Sequence, residues 1–99
     1  MEDDHHTVDL ADAILLLESK GEVEVFLKDL CTPQEIKALK ERWRVCQLLE
    51  RGTSSYRQIH SITGASLTTI GRVARFLKDE PYCGYQTVLK KLKTEVQNE

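Results

Sequence analysis

An arginine can present two parallel N–H groups to a guanine edge or a phosphate, and a threonine pairs a hydroxyl with a methyl group that suits thymine. This chain gathers such residues in one short stretch: Arg57, then Thr68, Thr69, Arg72, Arg75 and Lys78, with no acidic residue between Arg51 and Lys78. At about 100° per residue, Thr68, Arg72 and Arg75 fall within about 60° of one another on a helix. Leu67, Ile70, Val73, Ala74 and Leu77 share an inward sector of roughly 120°. The stretch therefore reads as a helix with a cationic outer face and an apolar seat. Ser66 can cap it, and the amides of Ser66, Leu67 and Thr68 at its start can meet a phosphate. Gly71, at the edge of the outer face, would admit a close backbone.

Other chemistries find no constellation here. Paired carboxylates, a nucleophile beside a base, and a phosphate-cradling glycine loop are all missing, so an enzyme is not expected. Asp3 and Asp4 read as part of a solvated tail. His5 and His6 are adjacent near the terminus and are better read as solvated than as metal ligands. Cys31, Cys46 and Cys83 are odd in number and far apart, which suits neither a disulfide framework nor a zinc pattern. We expect reduced thiols, two of them packed in helices, and neither metal nor cofactor.

The elements that must position the cationic face can be read outward from it. Ser55 to Lys78 has the form of two short helices around Thr63-Gly64-Ala65, a helix-turn-helix in which Gly64 takes the bend. Ile59 lies before the bend; Ala65, Ile70 and Val73 follow it, and these four lock the helices together. Ser55 with Gln58 three residues later makes a capping box for a helix over 56–62. Arg57 and His60 on that helix are further candidates for contact with bases or phosphates. Phe76 falls between the inner and outer faces, and an exposed aromatic on a small domain suggests a neighbouring helix, such as one from another subunit. The second helix runs from Leu67 to about Lys78, before Pro81 forbids continuation.

Upstream, Thr32-Pro33-Gln34-Glu35 is a strong helix start, with a capping Thr, proline at the first position and a Glu to close the box. That helix should run to about Arg51 and bury Ile36, Leu39, Trp43, Cys46 and Leu49, with Gly52 as a left-handed cap. Val45 and Leu48 lie off this stripe and point to a second apolar contact. Val8 to Ser19 reads as a helix apolar on two sides, ended by Lys20-Gly21. A second short helix, Glu22 to Leu30, would bury Val23, Phe26, Leu27 and Leu30. A last helix over 82–96 would bury Tyr85, Val88, Leu89, Leu92 and Val96, with Lys90, Lys91 and Lys93 outward. The expectation is six helices, no strand and no repeat.

Ninety-nine residues suit one domain with a modest core. No apolar run approaches the roughly 18 residues of a membrane span, and MEDDHH does not resemble a signal peptide, so a cytoplasmic protein is expected. The formal net charge is only −2, but it is unevenly spread: residues 1–30 carry −7 and residues 36–78 carry +7. A single phosphate-facing surface needs that asymmetry.

Several short motifs together resemble the trp repressor superfamily: Thr32-Pro33-x-Glu35, Ala38-Leu39, Arg42-x-Arg44-Val45, Arg51-Gly52, Ser55-x-Arg57, Gly64-Ala65, Leu67-Thr68-Thr69-Ile70, Arg72 and Leu77-Lys78. ERWRVCQLLERG, SYRQI and TGAS-TTIGRVARFL are similar to its YerC/YecD-type branch, and the resemblance covers about residues 30–95. It implies an all-α, six-helix trp-repressor-like fold in an intertwined homodimer. The acidic tail would occupy 1–7, dimerisation helices 8–51, the helix-turn-helix 55–78 and a C-terminal dimerisation helix 82–96. The DNA-contacting set would comprise Ser55, Arg57, His60, Ala65, Ser66, Leu67, Thr68, Thr69, Arg72, Arg75 and Lys78.

In the family's best-known member, L-tryptophan is held between two arginines beside threonine and glycine positions. Thr32, Arg42, Thr69 and Arg72 match the pocket, but Val73 stands at its glycine. An isopropyl group there costs a bound indole about 1 to 3 kcal/mol or more, so L-tryptophan is not expected as corepressor. The reading that follows is a dimeric regulator, a repressor, on a pseudo-palindromic operator in double-stranded DNA. Its alternatives are the same fold gated by another small aromatic or anionic metabolite, and a helical protein-interaction adaptor that does not read DNA.

Overall fold

A computed structural model describes residues 5–97 of the chain. Within them it contains six helices and no strand: α1 (Leu10–Leu15), α2 (Lys20–Leu30), α3 (Pro33–Arg51), α4 (Tyr56–Thr63), α5 (Leu67–Lys78) and α6 (Gly84–Gln97). Two compact units emerge, one up to Ile36 and one from Lys37 onward, so the boundary falls in the first turn of α3. Among the described residues no helix is long and apolar enough to cross a membrane.

In the N-terminal unit the helix boundaries differ from the sequence reading. Residues 8–19 do not form one helix; α1 spans only Leu10–Leu15, capped by Asp9, whose side chain accepts from the Ala11 amide. Lys20-Gly21 begins α2 rather than ending its predecessor. Ser19 is a good N-cap, its hydroxyl accepting from the Glu22 amide at 3.1 Å, while the Glu22 carboxylate accepts from the Glu18 amide at 2.7 Å. Two satisfied donors outweigh one glycine inside the first turn. No apolar residue of α1 or α2 is fully buried: Leu15 is 81% and the capping Leu16 74% exposed, and of those expected inside, Val23 and Leu30 are exposed while Phe26 and Leu27 are half-buried. The expected acidic tail lies partly outside the described residues; His5 to Asp9 take no regular structure.

The Lys37 unit holds the core. Val45 and Cys46 of α3, Ile59 of α4, Ala65 of the turn, Ile70, Val73 and Leu77 of α5 and Leu89 of α6 form one buried cluster. Trp43, Leu48, Leu49 and Tyr85 pack against it, partly buried. On α3 the expected stripe is kept in part, with Cys46 buried and Trp43 and Leu49 packed on the core, and Val45 and Leu48 join it as the second apolar contact, whereas Leu39 is 44% exposed. The approach of the helices α4, α5 and α6 covers the C-terminal half of α3 on both of these sides.

Caps fall where the local chemistry demands. Thr32 and Glu35 exchange hydrogen bonds, the Thr32 amide donating to Glu35 Oε1 at 2.8 Å and the Glu35 amide to Thr32 Oγ1 at 3.1 Å. Gly52 closes α3 at φ +72°. Helix α6 starts at Gly84 rather than Tyr82, after Cys83 at φ +60°; Thr87 donates from both its amide and its hydroxyl to the Cys83 carbonyl. On α6, Val88 and Leu92 are exposed beside buried Leu89, and Lys93 donates to Glu50 of α3 at 3.0 Å. The expected burial of Val96 lies outside the described side chains. Only Cys46 is a buried helical thiol; Cys31 sits half-buried at the end of α2 and Cys83 is exposed.

Candidate nucleic-acid interface

The helix-turn-helix is assembled by local hydrogen bonds before tertiary packing enters. The Ser55 amide donates to Gln58 Oε1 at 2.7 Å and the Gln58 amide to Ser55 Oγ at 3.1 Å, the reciprocal pair of a capping box. Helix α4 ends at Gly64, φ +76°, a left-handed conformation that glycine adopts without strain. Thr63 straps the bend, donating its hydroxyl to the Ile59 carbonyl at 2.7 Å and accepting from the Ala65 amide at 3.0 Å. His60 Nδ1 lies 2.7 Å from the Ala65 carbonyl oxygen, so that nitrogen carries the proton. The turn thus owes its shape to Gly64, Thr63 and His60 together.

Helix α5 is capped by Ser66, whose Oγ accepts from the Thr69 amide at 3.1 Å and donates to the Thr69 hydroxyl at 3.1 Å. Its inner face is Ile70, Val73, Ala74 and Leu77, all buried. Its outer face presents Thr68, Gly71, Arg72, Arg75 and Lys78, all exposed. These two faces match the spacing argument except at Leu67, which is 58% exposed. At the first position of the helix, that residue lies beyond the edge of the core that Ile70 and Val73 reach.

The other expected site residues sort clearly. Ser55, Arg57 and Ser66 are exposed, and Arg57 borders a shallow hollow with Ser54, Gln58, Ser61 and Ile62. Ala65 is 1% exposed, so its side chain belongs to the core and cannot touch a partner; a small residue is needed there because α4 and α5 close upon it. His60 is exposed but committed to the turn, and Thr69, half-buried, spends its hydroxyl on the cap.

Of the expected ligand-pocket set, Val73 lies inside the core at 1% exposure rather than lining an opening. Thr32 belongs to the N-terminal unit, where it serves as a cap. The charges of Arg42 and Arg72 both act on Tyr85. Burial pushes the Tyr85 hydroxyl above its ordinary pKa, Cys46 adds to that, and the charges of Arg42 and Arg72 oppose it. Arg72 also lines a cleft of about 440 Å³ with Trp43, Phe76, Tyr82, Gly84, Tyr85 and Val88.

Some participants were not visible in the spacing. The Arg72 guanidinium sits 4.4 Å and that of Arg75 4.9 Å from the Phe76 ring centre. Tyr82 stacks on the same ring, centroids 6.1 Å apart at 14°. Phe76 therefore has intrachain neighbours rather than a bare face. Glu80 approaches Arg75 Nε at 3.5 Å, and Gln86 donates to the Leu77 carbonyl at 3.0 Å, closing the end of α5. An acid just past a cationic helix was a signal for the first. Nothing in the sequence pointed to Tyr82 or Gln86, because the turn after Lys78 has no periodicity.

Other proteins are similar to this chain in sequence and in fold. The chain is 43% identical over 68 residues to the uncharacterized protein YerC of Bacillus subtilis (strain 168), a region that is 69% of this chain and 64% of that protein. It therefore spans just under two thirds of that relative's length. Its fold is similar to a crystal structure of a TrpR-like protein from Eubacterium eligens ATCC 27750, with TM-score 0.78, 39% identity and coverage of 85% and 84% of the two chains. A Staphylococcus aureus crystal structure, proposed to be a Trp repressor, is similar with TM-score 0.79, 37% identity and coverage of 85% and 82%. Residues 6–93 match the family described as Trp repressor protein, and with the six-helix order and the capped helix-turn-helix already in place, this chain belongs to the Trp repressor family, as a YerC-type member.

Proposed function

We propose that this protein is a homodimeric, sequence-specific DNA-binding transcriptional regulator, a repressor, that engages a pseudo-palindromic operator without L-tryptophan. The observation that carries the reading is α5, with Ile70, Val73 and Leu77 buried and Thr68, Arg72, Arg75 and Lys78 outward, held at the Gly64 bend. An outward cationic face on a rigidly seated second helix is what major-groove reading requires. Support for a dimer comes from the apolar side chains left open, among them Leu15, Leu16, Val25 and Val88, too many for a free monomer of this size. Support for independence from L-tryptophan comes from Val73, whose side chain fills core space where the family's pocket has glycine.

Selection of bound sequences from random duplexes, using the full chain, tests this. A two-fold symmetric consensus with half-sites about 10 base pairs apart is expected, and affinity should fall steeply with salt as phosphate counterions are released. No enrichment, or a flat salt dependence, would sink the reading. A second reading, the same regulator gated by a small aromatic or anionic metabolite, is favoured by the aromatic-lined cleft beside Arg72. Its size falls among ligand-binding clefts of about 300 to 1,000 Å³. Repeating the selection with and without such metabolites separates the two.

A further inference from the structure

A helix-turn-helix gives Phe76 no task. The ring lies half-buried at the border between the inner and outer faces of α5, outside the buried core cluster. Three groups converge on it instead. Arg72, one turn earlier, places its guanidinium carbon 4.4 Å from the ring centre, and Arg75, the preceding residue, places its own at 4.9 Å. Tyr82, from the turn before α6, stacks on the ring at 6.1 Å.

Two guanidinium groups on the exposed face of one helix repel each other, and each would otherwise sample many rotamers. A shared aromatic ring attracts both through its quadrupole and offers flat surface to their planes. Tyr82 limits the motion of that ring, and the Gln86 bond to the Leu77 carbonyl ties the following helix to the end of α5. Glu80 engages Arg75 at Nε, 3.5 Å away. The two arginines are thus oriented before any partner arrives.

We propose that Phe76, backed by Tyr82, is the positioning residue of the reading face: it presets Arg72 and Arg75 and so governs discrimination between DNA sequences rather than overall attraction to DNA. The proposal rests on the DNA-reading function above. Long-range attraction depends on the number of charges, which Phe76 leaves unchanged. Base recognition depends on arginine geometry, and presetting it removes an ordering cost from the bound state.

The test uses the full chain with Phe76→Leu, Phe76→Tyr and Tyr82→Leu. Tyr82 is 77% exposed and outside any helix, so its replacement probes the stack without opening the core. The first readout needs no DNA: nuclear magnetic resonance order parameters of the arginine Nε–H groups. Both arginines should become more mobile in Phe76→Leu, partly so in Tyr82→Leu, and remain as in the parent in Phe76→Tyr. The second readout is the ratio of dissociation constants for a random duplex and a duplex recovered by selection. At about 2- to 5-fold per arginine, that ratio should fall about 4- to 25-fold per subunit in Phe76→Leu with the salt slope unchanged. Phe76→Tyr should keep it.

A folded Phe76→Leu protein with parent-like arginine order overturns the proposal. So does mobile arginine with an unchanged ratio, or an equal loss of affinity for both duplexes, which would mark a purely structural role. Should the parent protein itself fail to discriminate between duplexes, the DNA-reading function falls and takes the proposal with it. The arginine order measured without DNA keeps the two failures apart.

Discussion

Val73→Ala tests at one position both the seating of the recognition helix and the reason for excluding an indole. Val73 is 1% exposed within the core cluster. Removing its two methyl groups forfeits about 1.6 kcal/mol of burial and leaves a cavity worth about 1 kcal/mol more. Alanine's better helix propensity returns about 0.6 kcal/mol. The net cost is about 2 kcal/mol, which for a chain of this size lowers the thermal midpoint by roughly 8 to 16 °C. Leu67→Ala removes more atoms from the same helix, but Leu67 is 58% exposed, so it should cost less than about 1 kcal/mol. Urea unfolding followed by circular dichroism and by the fluorescence of Trp43 measures both. Protein concentration must be matched, since association shifts apparent stability. Equal costs for the two substitutions, or a Val73→Ala cost below about 0.5 kcal/mol, would refute the assignment of Val73 to the core and with it the steric case against L-tryptophan.

Four further outcomes are expected. Arg72→Ala should weaken binding to a selected duplex by about 1 to 3 kcal/mol and relax its sequence preference; a uniform loss over all sequences would reassign Arg72 to phosphate contact. Calorimetry of the parent protein with L-tryptophan should give no saturable heat, and micromolar saturation would contradict the reading of Val73. A Cβ at Gly71 meets nothing within 4 Å, so Gly71→Ala should stabilise the protein by about 0.5 to 1 kcal/mol. Gly64→Ala, equally unobstructed but at φ +76°, should destabilise it by about 1 to 2 kcal/mol; thermal melts showing the same sign at both glycines would be inconsistent with this backbone. Finally, burial, with a smaller push from the Glu50 charge, raises the Cys46 thiol from 9.0 to about 11. Because the unfolded chain loses that proton first, stability is complete below pH 9 and falls by up to about 2.5 kcal/mol between pH 9 and 11. Cys46→Ala should remove the part of this decline that begins near pH 9 and leave the later part contributed by the raised Tyr85 hydroxyl; an identical pH slope in both proteins would count against it.

What the sequence determined by itself is the part governed by short-range chemistry. Thr32 with Glu35, Ser55 with Gln58, and Ser66 before Thr69 each satisfy donors within three residues, so helix starts were legible from residue types alone. The same holds for Gly52 and Gly64, whose positive φ closes helices, and for the outward set Thr68, Arg72 and Arg75. The start of α2 misled because Ser19 outcompeted the Gly21 break, a contest between two local signals of similar size.

The tertiary structure decided what depends on which surface meets which. Helix α3 has apolar residues on more than one side, and only the approach of its neighbours buries Val45 and leaves Leu39 open. Ala65 was expected both to lock the two helices and to touch DNA, and the closure of α4 and α5 upon it leaves only the first role. Phe76, flanked by Arg72 and Arg75 of its own helix, acquired Tyr82 as a neighbour because the aperiodic turn after Lys78 brings it back against α5. Periodicity says which residues share a face of one helix. Where two faces are both apolar, or where a turn folds back, only the packing of the whole unit selects among them.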